Sequence, residues 1–201
     1  SGVCMLSRRR DGREEAVASF LTGERALYYE AMAGRMPEQY FEVFADRRDG
    51  PPKTVLMRVI GTWFVELGME SDLDEVGAFL DLAAKSEVTG NGVEQLRLKG
   101  IDRTLQVPFL RFAGETECSN RVEVCESLSA LQELYRILKE EEIFEMPSFE
   151  EFYVIRRLLC QKGVARIRGI RVDGRVVAGA QTLCESPHGA MLGMVVTDAA
   201  Y

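Results

Sequence analysis

Residues 190–196, Ala-Met-Leu-Gly-Met-Val-Val, carry no charge and are bracketed by Ser186-Pro187-His188-Gly189 on one side and Thr197-Asp198-Ala199-Ala200-Tyr201 on the other. An almost continuously apolar run of strand length between two turn signals reads as a strand covered on both faces. It follows a hairpin: the runs at residues 164–171 and 175–184 flank Val172-Asp173-Gly174, whose Asp-Gly pair supplies the positive φ angles of a tight turn. Three successive strands therefore occupy the last forty or so residues, and whatever fold the chain adopts must bury them.

The two segments before these strands are helical. Leu131, Leu134, Tyr135 and Leu138 recur at helical spacing within residues 128–140. After Pro147, Ser148-Phe149-Glu150-Glu151 forms a capping box for a helix through Phe152, Ile155, Leu158 and Leu159, which Gly163 ends. Earlier, the first fifty residues read as helical, with apolar stripes through Ala16, Phe20 and Leu21 and through Tyr40, Phe41 and Phe44, up to Asp49-Gly50-Pro51-Pro52. Two β-rich runs at 54–60 and 63–67 surround Gly61 as a hairpin or adjoining strands. Residues 71–85 form a helix opened by Ser71 with Asp74 as a weak capping box, its apolar face being Leu73, Val76, Phe79, Leu80 and Ala83. Thr89-Gly90-Asn91-Gly92 reads as a loop, and strand-like runs follow at 95–98, 105–112 and 121–125. No internal sequence repeat and no low-complexity linker is evident. The expected fold class is mixed α+β, in two parts: an N-terminal α/β domain over 1–126 and a second domain over 127–201.

A net charge of −7 argues against a nucleic-acid binder, whose affinity would come from releasing counterions off phosphates. The charge is uneven. Seven basic residues (Arg156, Arg157, Lys162, Arg166, Arg168, Arg171, Arg175) stand against the single acid Asp173 between 156 and 175. Such a run would attract an anionic cofactor or simply form a solvated face. The five cysteines (Cys4, Cys118, Cys125, Cys160, Cys184) include no C-x-x-C pair, and with one histidine they cannot build the usual Cys/His zinc site, so no metal is expected. No apolar run reaches bilayer-spanning length, and Arg8-Arg9-Arg10 is followed by polar residues rather than the apolar core of a signal peptide. A cytoplasmic protein with no membrane contact is the expectation.

The order helix, helix, Asp-Gly hairpin, Ser-Pro-x-Gly turn and apolar strand resembles the first half of a GNAT-type acyl-CoA-dependent N-acetyltransferase, specifically a bacterial two-part group. The residues that carry the resemblance are Phe149-Glu150-Glu151-Phe152-Tyr153, Gly163-Val164-Ala165-Arg166-Ile167, Asp173-Gly174-Arg175-Val176-Val177-Ala178 and Val195-Val196-Thr197-Asp198-Ala199-Ala200-Tyr201. It is specific for about residues 127–201 and loose before that, where the N-terminal segment is similar to a degenerate GNAT half. The resemblance implies transfer of acetyl from acetyl-CoA to a primary amine. It also implies that Met194, Val195 and Val196, on the strand corresponding to the family's fourth, bind the pantetheine arm and polarise the thioester through backbone groups. In the family an Arg/Gln-x-x-Gly-x-Gly/Ala turn then holds the pyrophosphate at a helix N-terminus. The sequence stops before such a turn, so coenzyme A binding is expected to be weak or absent in this chain.

No general base is evident. Glu185 lies beyond the neighbouring strand, Asp198 sits in a turn where a hydrogen-bonding or capping role is expected, and His188 follows Pro187 in another turn. Cys184 reads as a small core residue without a histidine to activate it. Trp63, Phe64 and the Tyr28-Tyr29 pair read as packing residues, with a substrate groove as the other use. A non-catalytic remnant or protein-interaction module of the same ancestry is the alternative to an enzyme. In either case an apolar strand with a free edge at 190–201 predicts a homo-oligomer that covers it.

Overall fold

Asp173 (φ 50°) and Gly174 (φ 80°) turn the chain back as the Asp-Gly pair predicts, and helices and mainly antiparallel strands on either side make a mixed α+β fold. The computed structural model describes residues 6–9, 14–47, 50–83, 87–100, 114, 121–141 and 145–201. Cys4, Cys118, Asp49 and the strand expected at 105–112 lie outside the described residues, as does the end of the helix expected to reach Lys85. The chain forms two units, Ser1–Leu110 and Arg111–Tyr201.

In the first unit the order is β1 (Ser7–Arg8), α1 (Glu15–Phe20), α2 (Gly23–Met32), β2 (Phe41–Ala45), β3 (Thr54–Val59), β4 (Thr62–Leu67), α3 (Leu73–Leu82) and β5 (Glu87–Asn91). The sheet runs β1-β2-β3-β4-β5, antiparallel until β4 and β5, which are parallel because α3 carries the chain back over the sheet. Alternation along β4 divides its side chains between two faces. Trp63, Val65 and Leu67 pack with Leu56 against Val76 and Leu80 of α3. Phe64 meets Tyr28 of α2 with ring centroids 4.8 Å apart, and Glu66 is hydrogen-bonded by Arg25 of the same helix. Helices thus cover both faces, and the fully buried Val65 and Leu80 contribute about 1.5–3 kcal/mol each. Trp63, Phe64, Tyr28 and Tyr29 are all buried packing residues.

Several local expectations change. Phe41–Ala45 is a strand rather than helix: Phe41, Val43 and Ala45 are buried on one face, while Phe44 stacks near Phe79 and Trp63 on the other. The α1 stripe runs through Val17 and Leu21, with Ala16 exposed. Asp72, not Ser71, caps α3 by accepting from the Glu75 amide (3.0 Å). Ser71 instead donates its hydroxyl to the Lys53 carbonyl (2.8 Å) and accepts from the Gly68 amide. Residues 89–91 belong to β5, not a loop, since Gly90 lies so close to Val65 that an added Cβ would sit 2.0 Å from its carbonyl oxygen. Residues 95–98 are not a strand: a 3-10 turn at Val93–Gln95 precedes irregular chain.

The second unit consists of β6 (Val122–Val124), α4 (Leu128–Glu140), α5 (Phe149–Gln161), β7 (Ile167–Val172), β8 (Arg175–Ser186) and β9 (Gly189–Thr197). Ser127 Oγ accepts from the Ala130 amide and Ser148 Oγ from the Glu151 amide, both at 3.2 Å, so each helix starts at a capped turn. Gly163 (φ 66°) ends the chain's passage out of α5. The sheet order is β6-β7-β8-β9, antiparallel throughout. Because β6 pairs with β7, residues 122–124 belong to this sheet. Leu131, Leu134, Ile137 and Leu138 of α4 and Phe152 of α5 pack on Ile167, Val176 and Val196.

The apolar strand at 190–196 is not covered on both faces. Val196 is buried, but Leu192 and Val195 are 64% and 63% exposed, and among the described residues β9 is the outer strand of its sheet.

The two units share one plan. Strand, two helices and three further strands, in sheet order 1-2-3-4 and antiparallel, occur in both; the first unit adds α3 and the parallel β5. No sequence repeat announces this, because a shared topology needs only matching patterns of burial, not matching residues.

Candidate functional site

The pairing of β8 with β9 breaks where the resemblance locates the cofactor contact. Gln181 lies opposite Gly193, and Gly179 opposite Val196, so Met194 and Val195 together face the single residue Ala180. This is a β-bulge, in which the extra residue leaves the ladder and the strand bends. Met194 has φ 48°, the left-handed conformation that usually selects glycine at the first position of such a bulge. A residue with a Cβ held there is strained by about 1–2 kcal/mol, and such strain concentrates at functional sites.

The three residues singled out on this strand have different fates. Met194 turns its side chain into the second unit's core, Val195 points to solvent, and Val196 is buried and paired with Gly179. One step along, β8 carries its own extra residue: Thr182 pairs with Leu192 and Cys184 with Met191, leaving Leu183 between. The Leu183 side chain occupies the space a Cβ on Gly193 would need (2.7 Å to its Cγ). Gly193 is therefore required for close packing just before the bulge.

The basic run from Arg156 to Arg175 is largely matched by acceptors. Arg166 bonds Glu185 (2.7 Å), Arg171 reaches Glu123 and Glu133, and Arg157 donates to the Glu126 carbonyl (3.2 Å). Arg156 is buried on α5 and donates to Gln181 Oε1 (3.3 Å). Most of these charges hold the fold rather than wait for an anion.

The candidate acids and bases are similarly engaged. Burial pushes the Glu185 carboxyl up, but hydrogen bonds from Arg166 and Thr182 outweigh it and leave the group below its ordinary value. Arg136 hydrogen-bonds Asp198 and, with the Ala200 amide, holds it below the usual carboxylate range. Both are poor proton acceptors near neutrality. His188 is an exposed turn residue whose amide donates to Ser186 Oγ. Burial pushes the Cys184 thiol up to about 12 and the Cys160 thiol up to about 11, so neither supplies a thiolate nucleophile. Among the described residues no group of three or more His, Cys, Asp or Glu is placed to hold a metal ion. No helix among them is long and apolar enough to cross a membrane.

No family model, curated protein or solved structure matches this chain. The functional reading therefore stands on topology and on the geometry of β9. The resemblance pointed to Met194, Val195 and Val196 but not to the bulge, because Met194 stands where a glycine would have signalled it. Sequence reasoning also passed over Gln181, a lone amide at a buried position of an otherwise mostly apolar strand, which was the available signal.

Proposed function

We propose that this chain carries the pantetheine-arm part of a GNAT-kind acyl-CoA-dependent N-acetyltransferase, a fold that moves acetyl from acetyl-CoA to a primary amine, and that these residues alone bind acetyl-CoA weakly. The observation that carries the reading is the bulge at Met194 and Val195 on the outer strand of the second sheet. Its unladdered backbone, beside the exposed Val195, offers donors and acceptors to an extended ligand arm laid along β9. The strand–helix–helix–three-strand order in both units supports the same ancestry.

Bound acetyl-CoA would supply the thioester whose carbonyl carbon an amine attacks. The chain's part is to fix backbone N–H groups near Met194–Val196 toward the thioester oxygen, where negative charge develops, and to hold the arm in line. Neither Glu185 nor Asp198 is assigned as the base, since each is bound to an arginine.

The first unit is read as a copy without a cofactor site. Its β4 keeps unbroken register with β3 and pairs over Thr62–Glu66 with β5, leaving no gap. The start of α3 is taken by Asp72, Asp74 and Glu75, which oppose an anion there. One site per chain is therefore expected, and the unbridged Cys125, Cys160 and Cys184 accord with a reducing cytoplasm.

The test is calorimetric titration of the chain with acetyl-CoA, with backbone amide shifts followed in parallel. Saturable binding at one site, with shifts centred on Met194–Val196, supports the enzyme. No heat and no shifts favour a second reading, a non-catalytic interaction module. The exposed Leu192 and Val195 on an outer strand favour that reading, through association of two chains over 190–201. Light scattering then decides between a monomer, which rejects it, and an oligomer that Leu192→Lys dissociates.

A further inference from the structure

We infer that Arg156 and Gln181 are positioning residues that hold the bulge of β9 in shape. Both are buried, at 7% and 4% exposure, beside a core cluster of aliphatic, aromatic and cysteine side chains. Burying a guanidinium and an amide is costly unless their hydrogen bonds are made, and an apolar pair would pack there more simply. Phe152, one turn before Arg156 on α5, lies under the guanidinium, 5.8 Å from carbon to ring centroid.

The direction of the contacts matters. A guanidinium only donates, so Gln181 must present Oε1 to Arg156 Nη1, and its Nε2 is thereby turned toward β9. There it meets the Met194 sulfur. Gln181 is also the first residue of β8 back in register after the bulge, opposite Gly193. Gln181 and Met194 line the same small apolar hollow with Leu134, Phe152 and Ile167. A methionine in the left-handed region is unfavourable, so it persists only where its surroundings hold it. With the Arg156–Gln181 pair packed against it in this hollow, the Met194 side chain is kept on the core side while Val195 faces out, which is the arrangement the bulge requires. The importance of this for catalysis rests on the acetyltransferase reading; the control of bulge shape does not.

The experiment uses the full chain and the variants Gln181→Leu, Arg156→Met and Arg156→Lys. Backbone chemical shifts of Met194 report whether its φ stays left-handed, and acetyl-CoA titration reports the consequence. Gln181→Leu and Arg156→Met are expected to lose the left-handed signature and to weaken acetyl-CoA about tenfold, the equivalent of one lost hydrogen bond. Arg156→Lys, which still donates, keeps both. In a Met194→Gly background, where a left-handed φ is free of the Cβ penalty, Gln181→Leu should leave the bulge intact. That pair keeps the test open should the single variants not fold. An unchanged Met194 signature in Gln181→Leu and Arg156→Met, or failure of the Met194→Gly rescue, overturns the inference. If the bulge is lost but affinity holds, the pair is not positioning the cofactor contact. Absence of acetyl-CoA binding in the unmodified chain rejects the acetyltransferase reading alone, while the shift comparison still decides the role of Arg156 and Gln181.

Discussion

Arg136 of α4 donates a 2.6 Å hydrogen bond through Nη2 to Oδ2 of Asp198, sixty-two residues away, while Asp198 Oδ1 accepts from the Ala200 amide (3.0 Å). The turn after β9 is thereby tied to the helix that covers the sheet. The Arg136 bond holds the Asp198 carboxyl below its ordinary value. A carboxylate depressed in the folded state adds stability above its unfolded pKa of about 3.9 and loses that contribution as pH falls through the folded pKa. Asp198→Asn should therefore lower the thermal midpoint near neutral pH, with the difference from the parent shrinking in acid below about pH 4. Thermal unfolding of both proteins across this range checks it; a difference that does not shrink would deny the pair its role.

Glu66 of β4 and Arg25 of α2 form a buried ion pair in the first unit, with exposures of 3% and 8%; Thr22 Oγ1 donates to the second Glu66 oxygen, and Arg25 also pairs Glu24. Arg25→Met strips the main partner from a buried carboxylate and should destabilise that unit by about 3–5 kcal/mol. Arg25→Met with Glu66→Leu should recover part of the loss, because the buried Glu66 carboxylate is then gone while Glu24, which Arg25 also pairs at 3.0 Å, still loses its partner. Trp63 is the chain's one tryptophan and lies in the first unit's core, so its fluorescence during urea unfolding isolates the effect. Equal losses in the single and double variants would contradict the account.

Ile60 turns the β3–β4 hairpin at φ 59°, a conformation that a β-branched side chain disfavours. Ile60→Asn places Asn-Gly at a two-residue turn that demands positive φ, and should stabilise the first unit by about 1 kcal/mol. The same Trp63 signal reads the change, and a shift of the urea midpoint downward would show that Ile60 packing outweighs the strain.

At Gly179 an added Cβ would sit 2.2 Å from Leu134 Cδ2 and 3.3 Å from the Arg168 carbonyl oxygen. Gly179→Ala should cost about 1–3 kcal/mol by overpacking the interface of α4 with β8. Leu134→Ala in the same chain vacates that space, so the two changes together should cost less than their sum. Chemical denaturation of the four proteins of this cycle, followed by far-ultraviolet dichroism, measures the coupling; strict additivity would refute the contact.

Much of the second unit was legible because its signals are local. Ser127 and Ser148 cap the helices, Leu131, Leu134 and Leu138 mark the buried face of α4, and Asp173-Gly174 sets the hairpin. Each depends on residues within one or two turns of chain, where propensity and periodicity operate. In the first unit the same rules misread Phe41–Ala45, since Phe41 on the buried face and Phe44 on the other, packed on Phe79 and Trp63, space aromatics three apart like a helix. They also misread Gly90, whose lack of a side chain admits β4 rather than making a loop.

By itself the sequence determined the mixed α+β class, the capped starts of α4 and α5 and the Asp173-Gly174 hairpin, while the resemblance alone pointed to Met194–Val196 as the expected cofactor contact. Only the tertiary structure decided that β9 is an outer strand, that Met194 and Val195 bulge opposite Ala180, and that Arg156 and Gln181 stand behind them. The repeated plan of the two units belongs with these. The physical reason is common to all of them: register, edge position and burial of a polar pair are relations between segments distant in sequence, and the free energy that selects among them comes from packing that no single segment contains.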